Sequence, residues 1–292
     1  MTPRQRWLTA VALGGRGHYA AAWTLLAGLI TESGVPTSIA AHAAVTRASH
    51  LRQMGGHTAA RPYDALGLRM ASSVVPAHDR APDPDGTGAP AARVDALVGL
   101  AADAVGLGDA ATAHRLLDAA EDAARAVTSW RPQVRRGWVR AELALVEGRP
   151  GVAVGPAAAG LAAATAGGSA RHVLKSRIVL TVARAAAGEI GAPVAVADLD
   201  AVAAECADRG LLPLVWPAAL AAADLGPPGG DHGGNDAPAG PVAGALADRV
   251  SDAKRRRHAA ARALGVLYSR ADPIGKRQMG ESRWLPAQST LV

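Results

Sequence analysis

Phenylalanine is missing from the 292 residues, and the few tyrosines and tryptophans hold aromatic content to 3%. The 49% apolar fraction is therefore mostly alanine and aliphatic side chains. Cysteine occurs once, at Cys206, which excludes an internal disulfide and fits a reducing compartment. Lysine is nearly absent: only Lys175, Lys254 and Lys276 stand among 31 basic residues. Beside the heavy alanine use, that arginine bias reads as genomic composition before it reads as function. Glycine (33) and proline (19) are too few for a low-complexity chain, so a folded core is allowed.

Long apolar runs are missing as well. Arg4 and Arg6 precede Trp7 to Leu13, imitating a secretory leader, but the run stops at Gly14-Gly15-Arg16 with no small-residue cleavage site beyond. Residues 150–170 carry no charge, yet they are mainly Ala and Gly, with Val152, Val154 and Leu161 as the large aliphatics. A spanning helix needs strongly apolar side chains over about 20 residues. The expectation is a soluble, cytoplasmic protein with no membrane span.

Two stretches carry too much Pro, Gly and Asp, and too little apolar surface, to offset the entropy of ordering them. They are 79–90, read as a disordered insertion, and 226–241, read as a linker. Between them the apolar residues recur at helical spacing: Tyr19, Ala22, Trp23, Leu26 and Ile30; Leu97, Leu100, Ala101, Ala104 and Val105; Val173, Leu174, Ile178 and Val182. Alanine has the highest helix propensity, so such stripes predict an all-α chain.

The breaks between stripes are regular. Glycines at 17, 56, 108, 148 and 188 are separated by 39, 52, 40 and 40 residues, and removing the 12-residue insertion brings the long interval to 40. Ala22, Ala113 and Ala153 each follow their glycine by five positions, and Ala60 follows Gly56 by four. Glycine accepts the left-handed conformation at a helix end, and the small alanine lets a second helix close on the first. A period near 40 predicts a solenoid of about five helical hairpins over residues 1–225.

Gly17, Tyr19 and Ala22, with Gly108/Ala113 and Gly148/Ala153, resemble the turn signature of the tetratricopeptide-like (TPR-like) repeat superfamily. The spacing exceeds that family's usual one and is similar to the longer hairpins of bacterial regulator arrays. Position 19 is the only turn aromatic, and a generic helical repeat would share the spacing. The resemblance implies a right-handed α-solenoid with a concave groove that binds a peptide or helix.

Catalytic signatures are lacking. Gly15-Arg-Gly17-His-Tyr-Ala20 and Gly106-Leu-Gly108-Asp-Ala-Ala111 imitate dinucleotide turns, but neither follows a strand. Gly275-Lys276 lacks the glycine spacing of a phosphate loop, and no nucleophile elbow is present. His42, His50 and His57 are eight and seven residues apart, about 11 Å along a helix, too far for one metal. Cys206 reads as a small apolar core residue. No enzyme, metal or cofactor is expected.

Charge is uneven. From Arg249 onward, basic residues exceed acidic ones by seven, whereas the preceding 248 residues are near neutral. Residues 242–292 are therefore expected to form a basic helix and tail, with Lys254, Arg255, Arg256, Arg257, Arg262, Lys276 and Arg277 as a patch. Its bland reading is a solvated helix face; its sharper one is contact with nucleic acid or another acidic surface, with Tyr268 and Trp284 available for stacking. The segment 272–285 reads either as a docked strap or as a loose end.

The preferred functional expectation is a non-catalytic scaffold or adaptor for a protein or peptide partner. Its candidate groove contacts are Arg47, Arg52, Arg135, Arg136, Arg140, Lys175 and Arg177. The alternative is a nucleic-acid-associated regulator acting through 249–283. A small-molecule pocket inside the superhelix has no visible polar constellation in the sequence.

Overall fold

The computed structural model describes residues 1–74, 83–225 and 241–286. Within them the all-α expectation holds: there are thirteen helices and no strand. In chain order they are α1 (Pro3–Gly15), α2 (Tyr19–Thr31), α3 (Thr37–Gln53), α4 (His57–Ser72), α5 (Ala89–Gly106), α6 (Ala110–Ala124) and α7 (Trp130–Val146). There follow α8 (Pro150–Ala166), α9 (Ala170–Ala186), α10 (Ala192–Asp208), α11 (Leu212–Leu225), α12 (Pro241–Ser269) and α13 (Pro273–Glu281). No helix among the described residues is long and apolar enough to cross a membrane.

Of the two expected breaks, 79–82 and 226–240 lie outside the described residues. The first ends in a built turn. The Asp83 carboxylate accepts the amides of Thr87 and Gly88, both at 2.8 Å, and α5 starts at Ala89.

Glycine ends α1, α3, α5, α7 and α9 by one local device, which recurs after α10 at Gly210 (φ 68°), where Leu211 donates to Cys206 at 2.8 Å. Gly17, Gly55, Gly108, Gly148 and Gly188 all have φ between 70° and 80°. The amide after each glycine donates back five residues: His18 to Leu13, Gly56 to Leu51, Asp109 to Ala104, Arg149 to Ala144 and Glu189 to Arg184, at 2.8–2.9 Å. This is the left-handed C-cap that consumes otherwise orphaned carbonyls. The second break turns on Gly55 and not on Gly56, which sits at φ −93° as the N-cap of α4. With that correction Ala22, Ala60, Ala113 and Ala153 all stand five residues after their glycine, and all are fully buried.

Each helix packs on its sequence neighbour, and α1, α3, α5, α7, α9 and α11 also contact one another in succession. α1, α3, α5, α7, α9 and α11 thus form one row, with α2, α4, α6, α8 and α10 each packed on two consecutive members of it. Burial follows: α3 and α5 are covered around most of their circumference, whereas α2, α6, α8 and α10 bury a single stripe. Small residues permit this spacing. A side chain on Gly137 of α7 would come within 2.7 Å of the Pro156 carbonyl and 3.1 Å of the Gly160 Cα in α8.

The C-terminal helices return to the beginning of the chain. Leu264, Leu267, Ala271, Met279 and Leu285 share one core with Tyr19, Leu51, Met54 and Ala60. The Ala20 amide donates to the Arg270 carbonyl at 3.0 Å. Arg47 of α3, fully buried, donates to both oxygens of Asp272 at 2.7 and 3.2 Å. Asp272 simultaneously caps α13 by accepting the amides of Ile274 and Gly275.

Removing one partner of a buried ion pair leaves the other charge uncompensated and costs about 3–5 kcal/mol. Arg47→Met is expected to lose stability on that scale in urea titrations and to expose the amides of residues 273–281 to hydrogen exchange. Asp272→Asn keeps a capping oxygen but leaves the fully buried Arg47 guanidinium without a counter-charge, and is expected to lose at least as much. Sub-kilocalorie losses in both would contradict this role.

Candidate functional site

The row of helices α1, α3, α5, α7, α9 and α11 lines a half-open cavity of about 550 Å³. Helical spacing places its walls: Arg131, Arg135 and Trp138 share one face of α7, and Arg171 and Lys175 one face of α9. α1 supplies Trp7, α3 His42 and Arg52, α5 Asp95, and α11 Trp216. The tail adds Trp284, whose indole N–H donates to the Gly106 carbonyl at 3.1 Å; the Arg283 guanidinium donates to the same oxygen at 2.8 Å.

Two stacked pairs make flat walls. Trp7 lies on His42 with ring centres 4.6 Å apart, and its N–H donates to the Thr46 hydroxyl at 2.9 Å. Trp138 lies on His172 at 5.5 Å with 16° between the planes, and donates to Ser176 at 2.8 Å. Cations cover both indoles: the Arg131 guanidinium is 5.5 Å from the Trp7 ring and the Lys175 ammonium 4.3 Å from that of Trp138. Such contacts strengthen where water is excluded.

The acids are shared out. Asp95 pairs with both Arg131 (3.1 Å) and Arg135 (2.7 Å), and Glu142 lies 3.7 Å from Lys175. Burial alone would raise the Asp95 carboxyl, but the two arginines outweigh it and hold it below the usual range. Arg52 bonds Asp64 and also reaches Asp103 at 3.2 Å. Two buried carboxylates share that one guanidinium, so burial, with Asp103 beside it, raises Asp64 to about 7. Arg171 differs from all of these. It reaches the Gln53 side-chain oxygen at 3.3 Å, and among the described residues no carboxylate lies within 4 Å of it.

Histidines near this cationic cluster are held neutral. Burial, then Arg131, lowers His42 to about 4; burial, then Arg171 and Arg47, lowers His50 to about 3. His172 falls to about 3 through burial and then Arg171, Arg131 and Arg135. Lys175 is also lowered, by burial first and by neighbouring arginines against the pull of Glu142. Several donors close to the cavity lack a hydrogen-bond partner: Arg52 Nη2, Arg171 Nε and Trp216 Nε1. Among the described residues no three His, Cys, Asp or Glu side chains are placed to hold a metal.

Of the residues singled out in the sequence, Arg52, Arg135 and Lys175 line the cavity. Arg47 does not face it, being consumed by Asp272 and lying 4.4 Å over the Trp23 ring. Arg136 and Arg140 bridge α7 to Glu121 of α6, and Arg177 bridges α9 to Asp198 of α10 at 2.7 Å. In the basic patch, Arg256 pairs with Asp200 at 2.7 Å, Arg257 with Asp224 at 3.2 Å and Arg255 with Asp252. Lys276 lies 5.7 Å over the Tyr268 ring. Lys254, Arg262 and Arg277 are exposed, with no carboxylate within 4 Å among the described residues.

Trp7, His42, Arg131, Trp138, Arg171, His172 and Trp216 were not singled out as a site from the sequence. They come from α1, α3, α7, α9 and α11, and only tertiary packing brings those helices together. The chain matches no protein-family model and no curated protein sequence.

The neutral histidines give a pH signature. Unfolded, each would titrate near pH 6.5. From there down to about pH 4 the unfolded chain therefore binds more protons, and stability falls with pH by up to about 1.4 kcal/mol per unit for each histidine. Asp64, protonated up to about 7 in the fold, opposes this with at most one proton against three. Urea midpoints are expected to drop steadily between pH 7 and pH 4.5; a flat or rising profile would show that these histidines are charged in the fold.

Proposed function

We propose that this chain is a non-catalytic binding protein, a right-handed α-solenoid of TPR-like hairpins with a period near 40 residues, which receives a short peptide of a partner on its inner side. The glycine-capped odd helices, the alanines five residues beyond and the successive odd-to-odd contacts support the repeat reading. The observation that carries the binding reading is the cavity, walled almost wholly by odd-numbered helices, with indoles and cations together on its surface. Concave spaces of this size, apolar with a few convergent polar groups, are the usual form of ligand sites.

Arg52, Arg135 and Lys175 are the groove contacts in this reading, whereas Arg136, Arg140 and Arg177 hold one helix layer to the other.

The alternative, nucleic-acid contact through the C-terminal segment, rests on Lys254, Arg262 and Arg277, which remain free to meet phosphate. It is weakened by the acids already paired with Arg255, Arg256 and Arg257. The two readings separate on one preparation. Pentapeptides selected on the full chain are expected to lose about ten-fold or more in affinity when Ala102→Trp fills the cavity, with little dependence on salt. If retention is instead of DNA or RNA, falls steeply with salt and disappears in Lys254→Gln/Arg262→Gln/Arg277→Gln, the nucleic-acid reading replaces the peptide one.

A further inference from the structure

The charge balance of the cavity wall is incomplete. Arg131 and Arg135 divide the single negative charge of Asp95, and Lys175 has Glu142. Arg52 is matched by Asp64 and Asp103 behind the wall. Arg171 has only the neutral oxygen of Gln53, and its Nε has no partner at all. Arg171 is partly buried, with its Nε shielded from water, and it lines the cavity.

Nothing nearby relieves that charge. Arg135 and Lys175 are close enough for mutual repulsion with it, and His50 and His172 are kept neutral partly by its field. A buried guanidinium without a counter-charge is costly unless something supplies one. Trp7 and Trp138 are 3% and 5% exposed, so the accessible apolar surface of the same cavity is that of Leu8, Val11, Trp216 and Trp284.

We propose that the cavity binds a small organic anion, a carboxylate or phosphate group seated on Arg171 with an apolar body against Leu8, Val11, Trp216 and Trp284. The proposal rests on the reading of the inner cavity as the binding site, and it specifies which chemistry enters it. Arg171 acts as the fixed counter-ion, Arg135 and Lys175 add to the positive field, and the accessible apolar side chains hold the body. Such an anion arrives either as a free aromatic acid or as an acidic side chain next to an aromatic one in a peptide.

The test uses matched probes on the full chain by titration calorimetry: naphthalene-1-acetate against naphthalene-1-acetamide, and acetyl-Trp-Glu-amide against acetyl-Trp-Gln-amide. The acid of at least one pair is expected to bind about ten-fold or more tighter than its amide, and the pair that does so identifies the source. In Arg171→Gln, which relieves an uncompensated buried charge and is expected to fold, that preference collapses to about unity, while Arg171→Lys keeps most of it. If acid and amide bind alike in both pairs, or the preference survives in Arg171→Gln, the anion proposal is overturned and cavity binding stands. If no probe binds and the Ala102→Trp variant behaves like the parent, the cavity reading fails with it.

Discussion

The Arg47–Asp272 pair is the contact on which the rest of the arrangement depends. It joins side chains 225 residues apart and ties the third helix to the start of the last one. Asp272 cannot be spared for either duty, since its carboxylate both neutralises Arg47 and caps α13. With the pair in place, α12, α13 and the residues after them pack on α1 to α4, and the tail reaches Gly106 at the edge of the cavity. An open row of helices becomes one whose two ends share a core.

The interior of that row is unusually polar for a chain built largely of alanine. Buried Asp64, Asp95 and Asp103 sit opposite Arg52, Arg131 and Arg135, and neutral histidines stack on two of the indoles. Alanine-lined helices bury little apolar area each, so specific polar contacts between non-adjacent helices are what give the inner row a defined geometry. Cost and purpose coincide at Arg171. Every other cation of the cavity wall has an acid, and the one that lacks it lines the same cavity as the accessible side chains of Leu8, Val11, Trp216 and Trp284.

The local rules were legible in the sequence and the long-range ones were not. Helix ends could be read because a left-handed cap requires glycine, whatever the tertiary structure, and the alanine five residues on follows from close helix contact. Even the misreading was local: in Met54-Gly55-Gly56 either glycine could turn, and only backbone geometry assigns Gly55. Arg47 looked like a surface contact because an arginine among alanines gives no sign of an aspartate near the other terminus. The cavity was hidden for the same reason, since Trp7, His42, Arg131, Arg171 and Trp216 stand on five different helices that meet only in the tertiary structure. The excess of basic residues after 249 was plain, but not that Asp200 and Asp224 would meet two of them.

The placement of the tryptophans has an optical consequence. Trp7, Trp138, Trp216 and Trp284 all border the cavity, leaving only Trp23 and Trp130 elsewhere, and the chain has no phenylalanine and three tyrosines. Four of the six tryptophans, and with them most of the near-ultraviolet absorption and emission, therefore stand at the inner wall. The colour and yield of the protein's own light report the wetness and occupancy of that space, without any label being attached.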